Sequence, residues 1–280
     1  MGSLKTAPAC LLGFLALGGN LYAQSAPPRT LYAQSAVKIL ERDFPKTDAS
    51  FLLLDAGSGA ILAEHWENYE KPIPLGSLVK PFTALAYSAA HNFVYPKLEC
   101  KGKASSCWRD RAHGTLDLTS AISVSCNAYF RQLAQSVSLE QISQTSRDFH
   151  IEEPREDSES QTFSGLGDRW RISPLRMAQA YIELQRRKDQ PGVYELLQGM
   201  RQSALRGTGM SVGRELAYTK ALAKTGTSPC THTARAPADG FTIVLFPADS
   251  PEIVLLVRRH GVTGAATAEL VGRLLHQMER

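Results

Sequence analysis

The sequence has little that would indicate a nucleic-acid partner or a membrane-spanning segment. Its 31 lysines and arginines exceed its 27 aspartates and glutamates by only four, a mild charge that does not call for nucleic acid. No apolar run reaches the ~20 residues that a membrane-spanning helix needs. The hydrophobic fraction of 43% and the charged fraction of 21% are ordinary for a globular protein, so disorder is not expected. Residues 45–280 also lack a Gly/Ser-rich linker, which predicts one folded domain there.

The first residues predict a secretory signal. Lys5 precedes a short apolar run at 10–17, and small residues lead to a plausible cleavage site after Ala23. We therefore expect a signal peptide at 1–23, then a linker and an N-terminal helix at 24–44, in a periplasmic or extracellular protein. An uncleaved signal that anchors the protein to the membrane is the alternative.

Cysteine is scarce, and its spacing lacks the CxxC pattern that is typical of metal sites. Four cysteines follow the predicted leader: Cys100, Cys107, Cys126 and Cys230. An even number of cysteines in an oxidising compartment permits disulfides. Cys100 and Cys107 bracket a short loop and are the expected pair, and no metal site is predicted.

Patterns of apolar residues predict a mixed α/β (α+β) domain. Strand patterns occur at 50–55, 60–65, 218–227, 240–246 and 253–259, and helical patterns occur at 77–90, 116–136, 139–149, 174–187 and 265–278. Strands at both ends with helices between them predict one antiparallel sheet, built from N- and C-terminal segments, with an inserted helical region.

Three short motifs carry the candidate chemistry: Ser77-Leu-Val-Lys80, Ser125-Cys126-Asn127 and Lys224-Thr225-Gly226-Thr227. A serine hydroxyl is a weak nucleophile and needs an adjacent base. Lys80 lies one helical turn after Ser77, so both side chains are expected on one face. Burial and a second cation lower the pKa of a lysine, and Lys224 would supply that cation. The backbone N–H groups of Ser77 and Thr227 are natural donors to an oxyanion, and Gly226 would let the strand edge approach a substrate closely.

The motifs and their surroundings resemble a known family. PLGSLVKPFTALA, HGTLDLTSAISVSCNAYF and LAKTGTS are similar to the signature blocks of penicillin-binding protein transpeptidase domains, relatives of the serine β-lactamases. The resemblance covers roughly 45–278. It implies a β-lactamase/transpeptidase-like domain at 45–280, with an antiparallel five-stranded sheet flanked by helices and an inserted all-helical region.

The resemblance also implies residue roles. Ser77 would be acylated, Lys80 would take its proton, and Ser125 would relay a proton to the leaving group. Asn127 would hold the substrate amide, and Lys224 would steer the substrate carboxylate. The remaining substrate-binding residues would line the strand edge: Thr225, Gly226 and Thr227. No cofactor is implied.

The implied function is that of an exported D,D-peptidase, either a transpeptidase or a carboxypeptidase. It would act on peptidoglycan stem peptides through an acyl-enzyme, with β-lactams as covalent inhibitors, no nucleic acid, and cell-wall assembly proteins as unidentified partners. The alternatives are a class D-like β-lactamase and a β-lactam or muropeptide sensor that acylates once. Asn127 stands where class D β-lactamases have an apolar residue, which favours the peptidase. A purely structural wall-binding module would not need Lys80 or Ser125.

Overall fold

The computed structural model describes residues 31–43, 49–231 and 236–279, so the predicted signal peptide at 1–23 lies outside the described residues. The strands are β1 (Ala49–Asp55), β2 (Ile61–His65), β3 (Ile73–Pro74), β4 (Leu98–Cys100), β5 (Gly114–Leu116), β6 (Arg171–Ile172), β7 (Leu222–Ser228), β8 (Asp239–Phe246) and β9 (Ile253–His260). The helices are α1 (Leu31–Asp43), α2 (Lys80–Ala90), α3 (Leu118–Ser123), α4 (Asn127–Ala134), α5 (Leu139–Asp148), α6 (Ser160–Phe163), α7 (Pro174–Arg186), α8 (Val193–Arg206), α9 (Met210–Glu215) and α10 (Gly264–Met278). Single 3₁₀ turns occupy Gly76–Val79 and Gly102–Ser105.

The central sheet has five antiparallel strands in the order β2-β1-β9-β8-β7. The register of β1 on β9 runs from Ala49 opposite Arg259 to Asp55 opposite Ile253. The N-terminal hairpin is therefore joined in one sheet to the strands at the far end of the chain. The predicted sheet and its inserted helical region are confirmed. The seventh strand is shorter than predicted, because β7 begins at Leu222 and not at Tyr218.

Helices cover both faces of this sheet, which explains why its central strands are almost continuously apolar. Successive side chains point to opposite faces of a strand. Leu52 and Leu256 pack into the core under the inserted helices. Phe51 and Leu255 pack on the opposite side, in the core that includes Leu40 of α1 and residues of α10. The N-terminal helix predicted within 24–44 is α1. No described helix is long and apolar enough to cross a membrane.

The inserted helical region differs from the sequence prediction at Ser125, a candidate catalytic residue. The predicted helix at 116–136 is broken into α3 and α4, because Ser125 adopts a left-handed conformation with φ of 49°. Cys126 then caps α4, and its Sγ accepts a hydrogen bond from the backbone N–H of Tyr129. Helix α8, which the sequence patterns did not single out, packs against α3 and β7. The break places the turn that carries Ser125 beside the edge strand β7, where Lys224 contacts it.

Candidate active site

Ser77 lies in the 3₁₀ turn that leads into α2, next to the edge strand β7. Gly76 before it has φ of +57°, and the backbone of Thr227 lies where a side chain at Gly76 would be. A side chain is therefore excluded by both backbone conformation and space. Ser77 is half-buried, lines a cavity, and forms no side-chain hydrogen bond within the described ranges. Its hydroxyl is thus available to a group bound in the cavity.

Lys80 is the first residue of α2 and is completely buried. Its Nζ donates hydrogen bonds to the Ser125 carbonyl oxygen at 2.8 Å and to Asn127 Oδ1 at 2.7 Å. Ser125 Oγ lies 3.4 Å away. Because burial penalises the ammonium form, the pKa of Lys80 falls to about 7. A lysine with this pKa can exist as a neutral amine near neutral pH.

Lys224 reaches the same serine from β7. Its Nζ donates to Ser125 Oγ at 2.9 Å and to the Thr225 carbonyl oxygen at 2.6 Å, and the side chain is completely buried. Burial and the nearby Lys80 hold its pKa well below the usual range for lysine. Neither amine forms an ion pair in the part of the chain that the structure describes. Two unpaired buried cations repel each other, so the neutral form of at least one lysine is favoured.

The cavity in front of Ser77 has a volume of ≈ 360 Å³. Its walls are hydroxyl, amide and apolar groups, contributed by Ser77, Trp108, Ser125, Asn127, Gly165, Leu166, Thr208, Thr225, Gly226, Thr227, Thr263 and Ala265. The structure therefore brings all three predicted motifs to one place, with both lysines buried next to Ser125. Sequence reasoning assigned no role to Trp108, Thr208 or Thr263. These residues lie on loops outside the three motifs and gave no local pattern.

The edge strand β7 forms one wall of the cavity. Thr225 Oγ1 donates to Thr208 Oγ1 at 2.6 Å, and Thr227 Oγ1 accepts the backbone N–H of Gly264 at 3.0 Å. Gly226 also lines the cavity, yet a side chain there would meet the Leu75 carbonyl oxygen and Leu78. The glycine thus allows the strand to pack against the turn that carries Ser77.

The disulfide expected between Cys100 and Cys107 is not formed in the structure, where both residues are free thiols. The fold places them with Cys126 and His113, and the four ligand atoms all lie within 4.8 Å of one another. A two-residue bridge was the simplest reading of the sequence, because nothing in the spacing indicates that Cys126 returns to this loop.

A model of the penicillin-binding protein transpeptidase domain matches residues 49–276. The chain therefore belongs to this family. The match includes every strand of the sheet and all of the cavity-lining residues. No curated protein sequence matches the chain significantly.

Solved structures of similar fold include three from this family. Penicillin-binding protein PBP2 of Pseudomonas aeruginosa, solved with WCK 5153, has a TM-score of 0.73 at 17% identity, over 88% of this chain and 73% of that one. PBP2 of Helicobacter pylori, solved in complex with MreC, has a TM-score of 0.70 at 16% identity, over 89% of this chain and 62% of that one. The transpeptidase domain of FtsI4 D,D-transpeptidase from Legionella pneumophila has a TM-score of 0.62 at 16% identity, over 90% and 95%. At these identities the likeness shows the fold alone.

Proposed function

We propose that this protein is an exported active-site-serine D,D-peptidase that acts on peptidoglycan stem peptides through an acyl-enzyme. The observation that carries the proposal is the Ser125 hydroxyl, which lies between the amines of Lys80 and Lys224 at the edge of a cavity that also contains Ser77. Membership of the transpeptidase family supports the substrate class.

Acylation begins with Ser77. Its Oγ attacks the carbonyl carbon of the penultimate D-alanine, and its proton passes to the neutral amine of Lys80, which lies one turn further along. A pKa of about 7 suits Lys80 to accept a proton near neutral pH. The backbone N–H groups of Ser77 and Thr227 are proposed to stabilise the oxyanion, in keeping with the packing of Gly76 against Thr227.

Collapse of the tetrahedral intermediate breaks the bond to the terminal D-alanine. The leaving amine needs a proton, which Ser125 donates while it takes another from the lysine pair. The contact of 2.9 Å from Lys224 to Ser125 supports this relay. We assign substrate-binding roles to Asn127, whose amide holds the substrate, and to Lys224, whose positive charge attracts the terminal carboxylate. The hydroxyls of Thr225 and Thr227 on the cavity wall are the expected direct contacts for that carboxylate.

The acceptor of the acyl group in deacylation distinguishes the two kinds of D,D-peptidase. Water as acceptor gives a carboxypeptidase, and an amine of a second stem peptide gives a transpeptidase. No aspartate or glutamate is among the described residues that line the cavity, so they supply no dedicated carboxylate to activate water. We therefore expect a long-lived penicillin adduct. Rapid hydrolysis of that adduct would instead indicate a β-lactamase.

The central test is to incubate the mature protein with fluorescent penicillin and to follow its intact mass. We expect a stable 1:1 adduct on the wild type and none on Ser77→Ala. Ser146→Ala, which removes a buried helix serine that donates to the Ile142 carbonyl oxygen, is the matched control and should label normally. Labelling of Ser77→Ala would disprove the assignment.

Two further measurements complete the test. Release of D-alanine from a Lys-D-Ala-D-Ala peptide, with and without an added acceptor amine, distinguishes hydrolysis from transpeptidation. A protein that forms the adduct but releases no D-alanine would be a sensor. If the protein is exported and its signal is cleaved after Ala23, protein recovered from the cell envelope should begin at Gln24.

A further inference from the structure

Three cysteines and one histidine converge beside the candidate active site. Cys100 ends β4, Cys107 follows the 3₁₀ turn, His113 precedes β5, and Cys126 caps α4. His113 Nδ1 lies 3.4 Å from Cys100 Sγ and 3.6 Å from Cys107 Sγ, and the sulfurs of Cys107 and Cys126 are 3.8 Å apart. The three thiols are buried and His113 is half-buried, so the four ligand atoms face one another away from bulk solvent.

Two of these three separations match the edges of a tetrahedron around a zinc ion, and the third, from Cys100 to His113, is about 0.2 Å shorter. Metal–sulfur bonds of about 2.3 Å and metal–nitrogen bonds of about 2.0–2.1 Å put two sulfurs about 3.8 Å apart and a sulfur and a nitrogen about 3.6 Å apart. The pairs formed by Cys107 with Cys126 and with His113 have these separations. A disulfide would require sulfurs about 2.05 Å apart, and it would use only two of the four groups.

We propose that Cys100, Cys107, His113 and Cys126 bind one zinc ion in a tetrahedral Cys₃His site. Soft thiolates with one imidazole select zinc over the hard cations magnesium and calcium. All four positions are filled by protein ligands, which is typical of a structural site and leaves none for a substrate. The thiol protons pass to solvent when the metal binds.

The contacts around the cluster also suit a metal site. The backbone N–H of Tyr129 donates to Cys126 Sγ at 3.5 Å, and Ser105 Oγ lies 3.9 Å from Cys100 Sγ. Hydrogen bonds of this kind orient the ligands of a metal. The loop between β4 and β5 otherwise consists mainly of exposed polar residues, and in the 101–113 interval only Gly102 and Cys107 are buried. A metal ion would supply the anchor that this loop otherwise lacks.

The site also has a place in the chemistry proposed above. Cys126 lies between Ser125 and Asn127, both of which contact Lys80. Trp108, next to Cys107, lines the cavity. Zinc would therefore fix the turn that holds Ser125 and one wall of the cavity. In this respect the four ligands are positioning residues, and the role depends on the proposed function, whereas metal binding itself does not.

Metal content of the purified protein is the primary test. The protein is purified without added metal and without added reductant, and is analysed by elemental mass spectrometry and native mass spectrometry. We expect about one zinc per chain. His113→Ala should lose it, whereas His113→Cys should retain it, because four thiolates also bind zinc. Cys230→Ser is the control for a cysteine outside the cluster and should retain the metal.

Each alternative result would overturn the proposal. A protein without zinc whose denatured mass shows two hydrogens fewer, in the wild type and in Cys230→Ser alike, contains a disulfide within the cluster. A protein without zinc whose thiols all react with an alkylating reagent has no site. Zinc that stays in both His113→Ala and Cys107→Ser is adventitious. If a variant fails to fold, cobalt substitution of the wild type decides, because only tetrahedral thiolate ligation gives intense visible and thiolate-to-metal absorption.

The positioning role has its own readout. Removal of zinc by a chelator should slow acylation by penicillin about tenfold or more, and added zinc should restore the rate. Unchanged acylation in a metal-free protein would contradict the positioning role but not the binding site. Loss of metal without loss of penicillin labelling would thus support the zinc site and contradict its positioning role. Neither measurement tests whether Ser77 is the acylated residue.

Discussion

Lys224 Nζ lies 2.9 Å from Ser125 Oγ, a contact that joins the edge strand of the sheet to the turn between α3 and α4. Lys80 contacts the same hydroxyl from the other side, at 3.4 Å. One hydroxyl therefore connects two buried amines that would otherwise have only carbonyl and amide partners. The proposed transfer of a proton between the two amines therefore needs no change in backbone conformation.

Ser125→Ala removes this connection. We expect the rate of acylation by penicillin to fall about 10²-fold, within the range attributed to general acid–base groups. Lys80 keeps the Ser125 carbonyl oxygen as an acceptor and Lys224 keeps that of Thr225, so the fold should persist. Labelling kinetics measure the effect, with Ser146→Ala as control. An acylation rate within twofold of the wild type would show that Ser125 carries no proton.

The pH dependence of acylation should report on Lys80. Its lowered pKa of about 7 means that the amine is protonated and inactive at low pH and becomes a competent base as pH rises through about 7. The acylation rate should therefore increase from about pH 6 to about pH 8 and then level off. The titratable groups that interact with Lys80 are Lys224, Cys107, Cys126 and His113. A rate that is flat or that falls over this interval would exclude Lys80 as the base.

Asn127→Asp tests the same assignment by changing one charge. Asn127 Oδ1 accepts a hydrogen bond from Lys80 at 2.7 Å. A carboxylate there would stabilise the ammonium and raise the pKa of Lys80 by about 1–3 units. The rising limb of the pH profile should move upward accordingly. Asn127→Ala loses the hydrogen bond but adds no charge, so it should slow acylation without this upward shift. Identical pH profiles of acylation for the two variants would contradict the prediction.

Gly76→Ala should destabilise the fold more than a comparable substitution elsewhere. Gly76 combines positive φ with close packing against Thr227, whereas Gly167 has φ of +77° and nothing within 4 Å of its would-be side chain. We expect about 1 kcal/mol for Gly167→Ala and about 3 kcal/mol for Gly76→Ala. Urea unfolding measures both. Equal losses would mean that the Ser77 turn can move away from β7.

The sheet could be predicted from the sequence because each long strand has a local run of apolar residues. The apolar runs in β1, β8 and β9 are buried on both faces, and such runs are visible without any knowledge of their partners. The break at Ser125 was not visible, since the residues on either side have good helical patterns and a serine is not a residue type that usually adopts a left-handed conformation. Helix α8 was not singled out as a segment either, although its apolar residues follow a helical spacing.

In the candidate site, too, features with a local sequence pattern could be predicted, and features that depend on distant contacts could not. The three motifs could be identified from the sequence because the functional residues of each lie within four consecutive positions. The cysteine cluster could not, because six, five and twelve residues separate its successive members and the last one lies within another motif. Only the pairing of β4 with β5 and the cap of α4 bring them together. The absence of a CxxC pattern therefore led to the expectation of no metal, which the proposed zinc site revises.

The pairing of Ala49 with Arg259 has a consequence for how the protein is made. Strand β1 is synthesised about two hundred residues before the strand that completes its pairing. Until then its apolar side chains and one row of backbone groups are exposed, and such edges promote aggregation. A message truncated before Ile253 would deprive β1 and β8 of their shared neighbour. Such a chain would be insoluble even though it contains every residue of the three motifs.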